Sequence, residues 1–137
     1  MQRVINTAII SNKELILLRK QVNEKSSWIL PGGKPRERES DILCINRELS
    51  EELPLLKLDG IFLYINSFEG ISPNQKSPLR VEVYRHQGTT NRDLTPSSNP
   101  EEPIKEARFF DYDSLCGIAL SETTRKIVSY LKRYFYI

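Results

Sequence analysis

Hydrophobic residues recur with two different periods along this chain of 137 residues, and each period predicts a different kind of element. In several short segments, β-branched and aromatic residues alternate with polar ones or form brief apolar runs, which favours β-strands. Ser11, Asn12 and Lys13 separate the first two of these segments and suit a hairpin turn. The predicted strands are residues 3–10, 14–19, 28–30, 61–68, 79–86 and 107–112.

Two other segments show helical spacing of their apolar residues. The first is residues 41–53, and the second follows Ser121, whose side chain can cap a helix. The order of elements is strands, helix, strands, helix, which predicts an α+β sandwich with a mixed β-sheet between helices. We see no internal repeat and expect a single domain over residues 1–137. The apolar positions of the two helices are Ile42, Ile45, Leu49 and Leu53, and Ile127, Tyr130, Leu131 and Tyr134.

The first predicted helix carries a second stripe, which is acidic. Glu48, Glu51 and Glu52 fall at positions i, i+3 and i+4, so their carboxylates share one face. Such a face repels itself unless a positive group neutralises it. Carboxylate oxygens suit Mg²⁺ or Mn²⁺, and Mg²⁺ usually shares its other positions with water and substrate phosphates. The alternative is a solvated acidic face, which is common on helices.

The residues before this helix favour the metal interpretation. Residues 28–33 form a short apolar strand that runs into a turn, where Gly32 and Gly33 permit close approach of the backbone to a ligand. Glu39 stands near the start of the helix, where its charge suits the helix dipole, and Arg47 could fold back to pair with it. Strand, loop and helix therefore indicate one site.

At these residues the chain resembles the Nudix hydrolase family, most nearly its small MutT-like members. The family motif, the Nudix box, is Gly-x5-Glu-x7-Arg-Glu-U-x-Glu-Glu-x-Gly-U, where U is aliphatic. One fixed position departs, because Pro54 stands where the family has its second glycine. Proline cannot adopt the left-handed conformation that glycine allows, so we expect a changed exit from the helix more than a changed metal site. The matching residues are Gly33, Glu39, Arg47, Glu48, Leu49, Glu51, Glu52 and Leu55.

The resemblance implies a set of site residues. Glu48, Glu51 and Glu52 would hold the divalent metal together with the backbone carbonyl near Gly33. The general base would be Glu48, Glu51 or a loop glutamate, and these alternatives stay open. Glu39 and Arg47 would brace the box.

Four candidate residues lie outside the box. The long loop 88–103 ends with Glu101 and Glu102, and in several relatives a glutamate from the comparable region supplements the metal site or acts as base. Two solvated loop carboxylates are an equal alternative. Arg19 and Lys20 close the second strand, where related enzymes often carry a basic residue facing substrate phosphates. A solvent-exposed strand end is the alternative there.

The implied function is hydrolysis of a phosphoric anhydride bond in a nucleoside diphosphate derivative, with Mg²⁺ or Mn²⁺ as cofactor. The simplest case is a nucleoside triphosphate cleaved to monophosphate and pyrophosphate. One alternative is an ADP-ribose or nucleotide-sugar pyrophosphatase. Another is a catalytically silent Nudix domain that binds a nucleotide or an RNA end as a sensor.

Composition narrows the setting of this function. A net charge of +2 argues against a protein dedicated to nucleic-acid binding. A chain with this low net charge can still carry local basic patches. Cys44 and Cys116 show no metal-ligand or redox spacing, so we expect a reduced cytoplasmic setting. No apolar run approaches the length of a membrane span, and we expect no membrane partner. The expected partner is a small nucleotide, with the protein a monomer or a homodimer.

Overall fold

A computed structural model describes residues 1–20, 27–72, 76–99, 101 and 104–137, and these form eight strands and three helices. The N-terminal part contains β1 (Gln2–Ala8), β2 (Ile10–Ser11), β3 (Glu14–Lys20), β4 (Trp28–Ile29), β5 (Gly32–Gly33) and the long helix α1 (Asp41–Glu52). The remainder contains β6 (Leu58–Ile71), β7 (Pro78–Thr90), β8 (Ile104–Phe110), the short helix α2 (Tyr112–Leu115) and α3 (Glu122–Arg133).

The strands form two sheets. In the first, the order is β5-β1-β7-β6, and β1 runs parallel to β7 while the other pairs are antiparallel. In the second, β3 pairs with β8 along one edge and with β2 and then β4 along the other, all antiparallel. The predicted α+β class is confirmed. We expected one mixed sheet, whereas the strands form two sheets, of which only the first is mixed.

Strands β1 and β3 are buried on both faces. Because side chains alternate across a strand, Ile16 and Leu18 face one core cluster while Leu15 and Leu17 face another. The first cluster packs against α1 and the second against α3. Helices therefore cover the sheets from opposite sides, which is the expected layering.

Helix α1 has well-defined ends. Ser40 is its N-cap, and the Ser40 side-chain oxygen accepts from the Leu43 N–H at 3.2 Å. The helix ends at Glu52, one residue before the predicted end, and Leu53 turns away with φ −131° and ψ 70°. The Leu56 N–H then donates to the Leu53 carbonyl at 3.1 Å, which makes Pro54 the second residue of a turn. Proline therefore replaces a left-handed glycine exit with a non-helical residue, Leu53, followed by a turn.

Several boundaries differ from the sequence prediction. The predicted strand 3–10 is divided at Ile9, and the last predicted strand, 107–112, is shifted to β8 with α2 directly after it. Strands β6 and β7 extend well beyond 61–68 and 79–86, since they pair along most of their length. Among the helices that the structure describes, none has the length and apolar character needed to cross a membrane.

Candidate active site

Helix α1 and the glycine strand β5 meet at the acidic face. The Gly32 N–H donates to Glu52 Oε1 at 2.9 Å, which fixes the end of α1 against this strand. A Cβ atom added to Gly33 would overlap the Glu48 carboxylate. Glycine at Gly33 therefore lets that carboxylate lie against the backbone, whereas a larger residue would push the Glu48 side chain aside.

Arg47 is the centre of an ion-pair network beside the glutamates. Its Nε and Nη2 donate to the two oxygens of Glu39, each at 2.8 Å, which is a bidentate pair. Nη2 also donates to the Lys34 carbonyl at 3.1 Å, and Nη1 donates to Glu48 Oε1 at 3.0 Å. Arg47 thus ties the loop after β5 to the helix, as the brace hypothesis required. Hydrogen bonds from Arg47 lower the pKa of Glu39 to about 2.

Glu52 lies at the buried end of the acidic face and contacts a strand of the other sheet. Its side chain is fully buried, and Glu52 Oε2 forms an ion pair with Lys20 Nζ at 2.9 Å. Burial raises the pKa of Glu52 to about 7, although the Lys20 charge acts in the opposite direction. The desolvation of this carboxylate therefore outweighs its attraction to the lysine.

The other two glutamates are progressively more exposed. Burial raises the pKa of Glu48, and its hydrogen bond from Arg47 opposes that rise. Glu51 is 35% exposed and lies 3.4 Å from Arg47 Nη1 and 3.6 Å from Arg36 Nη2. The exposure of the carboxylates on the acidic face thus increases from Glu52, which is buried, to Glu51, which is partly exposed to water.

This arrangement of Gly33, Glu39, Arg47 and the three glutamates is that of the Nudix box, and the NUDIX domain family model matches residues 1–132. The chain belongs to the Nudix family. It is a Nudix-type hydrolase, and its relatives act generally on nucleoside diphosphate derivatives with a divalent metal.

Solved Nudix structures share the fold. A MutT NUDIX hydrolase from Burkholderia pseudomallei is 22% identical, with 93% of this chain and 95% of that chain covered at a TM-score of 0.75. The MutT protein from Methanosarcina mazei Go1 is 19% identical, with 97% and 94% covered at a TM-score of 0.76. The NUDIX domain of Shewanella oneidensis NrtR, solved with ADP ribose, is 11% identical, with 98% and 88% covered at a TM-score of 0.67. At these identities the likeness establishes the fold alone. No curated protein matched the chain.

The Nudix box offers oxygen donor atoms, which are the ligands that hard divalent cations such as Mg²⁺ prefer. Glu48 and Glu52 both contact the glycine strand, so carboxylate oxygens and backbone lie together there. Within the described residues, however, no three acidic, histidine or cysteine side chains converge closely enough to form a metal centre as they stand. Arg47 and Lys20 instead neutralise the glutamates. Metal binding would require these carboxylates to reorient away from their cationic partners.

The two basic residues at the end of β3 lie on opposite faces. Lys20 reaches Glu52, whereas Arg19 pairs with Glu106 and lies with its guanidinium 5.5 Å from the centre of the Trp28 ring. The alternation of side chains along a strand accounts for this division. The structure therefore brings Lys20, and not Arg19, to the Nudix box.

Of the two loop candidates, Glu102 lies outside the described residues. Glu101 is exposed, and its backbone N–H donates to Asn99 Oδ1 at 3.0 Å.

A second network, which the sequence interpretation missed, anchors the first turn of α1. Asp41 Oδ2 accepts from Arg3 Nη2 at 2.7 Å and from the Tyr84 hydroxyl at 2.5 Å. These partners come from β1 and β7, which are distant in sequence. The sequence did not predict these contacts, because an acidic residue at the start of a helix is already explained by its favourable interaction with the helix dipole.

Proposed function

We propose that this Nudix domain hydrolyses a nucleoside triphosphate to the monophosphate and pyrophosphate, with Mg²⁺ or Mn²⁺. The observation that supports this most is the junction of α1 with β5, where Glu48 and Glu52 lie against the Gly32–Gly33 backbone. Lys20 Nζ lies at the same junction, 2.9 Å from Glu52. Carboxylates for a cation and an ammonium group for phosphate oxygens are the groups that phosphoryl chemistry uses.

Each residue of the junction receives a role in this proposal. Glu48, Glu51 and Glu52, with the Gly33 carbonyl, would hold the divalent ion, which would neutralise phosphate charge and make a water molecule more acidic. Lys20 attracts the polyphosphate and offsets negative charge that develops on its oxygens. Arg47 and Glu39 keep the glycine loop at a fixed distance from the helix. Arg19, which faces Trp28 and Glu106, has no role in this mechanism.

The proton acceptor in this proposal is Glu48, Glu51 or a glutamate of the loop 88–103, whichever remains free of the metal. Glu48 lies against Gly33 and its pKa is raised by burial, which makes it a better base than an exposed carboxylate. Glu51 is more exposed and binds two arginines more loosely. Replacing each with glutamine and comparing the pH profiles of kcat would assign the base.

A substrate panel tests the proposed reaction. Purified protein is incubated with nucleoside triphosphates, dinucleoside polyphosphates, nucleotide sugars and ADP-ribose in Mg²⁺ or Mn²⁺, and products are separated by chromatography. We expect nucleoside monophosphate and pyrophosphate from one or more triphosphates. Release of inorganic phosphate alone would contradict the proposed cleavage position.

The same panel distinguishes the alternatives. Turnover of ADP-ribose or a nucleotide sugar, with triphosphates untouched, would replace the proposed substrate by a linked diphosphate. Inactivity toward every compound, with tight nucleotide binding retained, would indicate a binding domain. A Glu52→Gln variant purified in the same way is the matched control, because a contaminating hydrolase would give the same activity in both preparations.

A further inference from the structure

The side of the molecule opposite α1 carries a concentrated positive charge. Residues 122–137, which comprise α3 and the tail after it, contain four Lys or Arg residues and one Glu, a net charge of +3. The whole chain has a net charge of only +2, so the rest of the chain is slightly acidic in balance. The low overall charge therefore conceals a local basic surface.

This charge lines a groove between α3 and β6. The groove encloses about 500 Å³, and its walls include Arg125, Arg133, Tyr130 and Tyr134, with Asn66 contributed by β6. We call it the α3 groove. Arg125 and Arg133 are eight residues apart on one stripe of the helix, which separates them by roughly 12 Å along its axis. That spacing spans a few residues of an extended polymer.

The cations of the α3 groove differ in how they are engaged. Lys126 is occupied, because its Nζ donates to the Glu69 carbonyl at 2.8 Å and lies 3.5 Å from Glu122. Arg125 and Arg133 make no ion pair with any residue in the described part of the chain, and the Arg133 guanidinium lies 5.8 Å from the centre of the Tyr134 ring. The charge of both arginines is therefore not neutralised by a described carboxylate and can attract anionic groups of a partner.

Two aromatic residues stand exposed at the end of this helix. Tyr134 is 54% exposed, and Phe135, the next residue, is 90% exposed. Phe135 also has φ 66°, a left-handed conformation that a bulky side chain adopts at a cost. The Phe135 N–H bonds the Lys132 carbonyl, and the Tyr136 N–H bonds the Leu131 carbonyl, so the conformation is imposed by the helix end. Glycine would serve this helix end better, hence the exposed ring needs a reason beyond folding.

We propose that the α3 groove and its exposed aromatic pair bind single-stranded nucleic acid. Arg125 and Arg133 contact phosphates, and Tyr134 and Phe135 offer faces on which bases stack. A cationic track flanked by exposed rings is how proteins hold single strands without reading their sequence. An acidic peptide would satisfy the arginines but would leave the Phe135 ring, which is 90% exposed, without a partner; the Tyr134 ring already packs against Tyr130 on one side. The groove lies across the sheets from α1, so a strand bound there leaves the candidate active site open.

Fluorescence anisotropy of labelled oligo(U) and oligo(dT) tests the proposal with the full chain. We expect saturable binding that weakens with salt, and the two probes separate RNA from DNA. Arg125→Gln with Arg133→Gln should weaken binding about tenfold or more and reduce the slope of log K against log salt by about 1.4. The control is Lys57→Gln with Lys105→Gln, which changes the net charge equally at two exposed sites and should bind as the wild type does.

A second variant keeps the test independent of misfolding. Phe135→Gly relieves the left-handed strain, so it should raise the melting temperature while it weakens oligonucleotide binding roughly fivefold or more. Improved stability with reduced binding is a combination that general damage to the fold does not produce.

Four results would overturn the proposal. An equal loss of binding in the control pair would indicate diffuse electrostatics. Excess nucleotide could displace the oligonucleotide competitively, which would place it in the candidate active site. Polyglutamate could bind as tightly as nucleic acid, which would indicate an acidic peptide. Absence of oligonucleotide binding, with self-association that Phe135→Gly abolishes in sedimentation velocity, would assign the surface to a second copy of the chain.

Discussion

Glu52 is fully buried although its carboxylate is ionisable. The Gly32 N–H and Lys20 Nζ both contact this carboxylate, yet burial raises its pKa to about 7. A folded-state pKa above that of the unfolded chain means that the protonated form favours folding. The ionised form of Glu52 therefore lowers the stability of the fold, so we expect a carboxylate at this position to serve function.

The first prediction concerns the stability of Glu52→Gln in EDTA. The wild-type chain should lose stability as the pH rises from about 4.5 through about 7, where Glu52 becomes charged, whereas glutamine does not titrate. The variant should thus be more stable than wild type at pH 8, by up to about 3 kcal/mol, and closer to it at pH 5. Urea denaturation at the two pH values measures the difference. Glu51→Gln makes the same change in charge at a more exposed position and is the matched control.

The second prediction is the catalytic effect of the same substitution. Glu52→Gln should reduce kcat by on the order of 10² or more, because the negative charge that would hold the metal is removed. Steady-state assays on the substrate identified by the panel measure this loss. Near-normal turnover in a thermally destabilised variant would assign Glu52 a purely structural role.

The third prediction tests Arg47 and Glu39 as a coupled pair. Arg47→Ala should lower both stability and activity, because it leaves Glu39 among other carboxylates and frees the loop that carries Gly33. The double variant with Glu39→Ala should cost less than the sum of the single changes, with a coupling of roughly 0.5 to 3 kcal/mol. Denaturation and kcat/KM are measured for all four proteins. If the effects add within about 0.3 kcal/mol, the brace is refuted.

At the scale of elements, the exit from α1 is the clearest local departure from the Nudix pattern. Pro54 occupies the second position of the turn closed by the Leu56 N–H and the Leu53 carbonyl. Its ring presets the backbone angle that this position needs. The side chain of Leu53 remains buried despite the altered exit.

The fourth prediction follows from this turn. Pro54→Gly restores the family residue but increases the freedom of the unfolded chain, so it should lower stability by about 0.4 to 1 kcal/mol. Activity at saturating metal should remain within a factor of about two, because Glu48, Glu51 and Glu52 precede the turn. Chemical denaturation and kcat are the readouts. A gain in stability would show that the turn is strained by proline.

The helices and strands could be predicted where the pattern that specifies them lies within a single segment of the sequence. The apolar stripe of residues 41–53 predicts α1 to within one residue, and Ser121 marks the start of α3. Strand β5 was not predicted, since Gly32 and Gly33 have low strand propensity and pair only because β1 lies beside them. The lengths of β6 and β7 also depend on pairing with each other, which no single segment encodes.

At the scale of the whole molecule, the candidate site depends on contacts between distant segments. The pairing of Arg47 with Glu39 could be predicted, because both belong to one motif. The sequence could not show whether Lys20 or Arg19 contacts Glu52. Which of these two side chains faces α1 is set by the way β3 pairs in its sheet. The roles of these residues, the identity of the metal and the reduced cytoplasmic setting stay predictions.

Metal dependence is the most direct test of the central claim, that the glutamates of α1 serve hydrolysis through a divalent cation. Turnover of the substrate identified by the panel is measured with excess EDTA and after addition of Mg²⁺, Mn²⁺ or Ca²⁺. The account predicts that activity is lost in EDTA, returns with Mg²⁺ or Mn²⁺, and returns poorly with Ca²⁺, whose longer bonds loosen the geometry. Undiminished turnover in excess EDTA would contradict it.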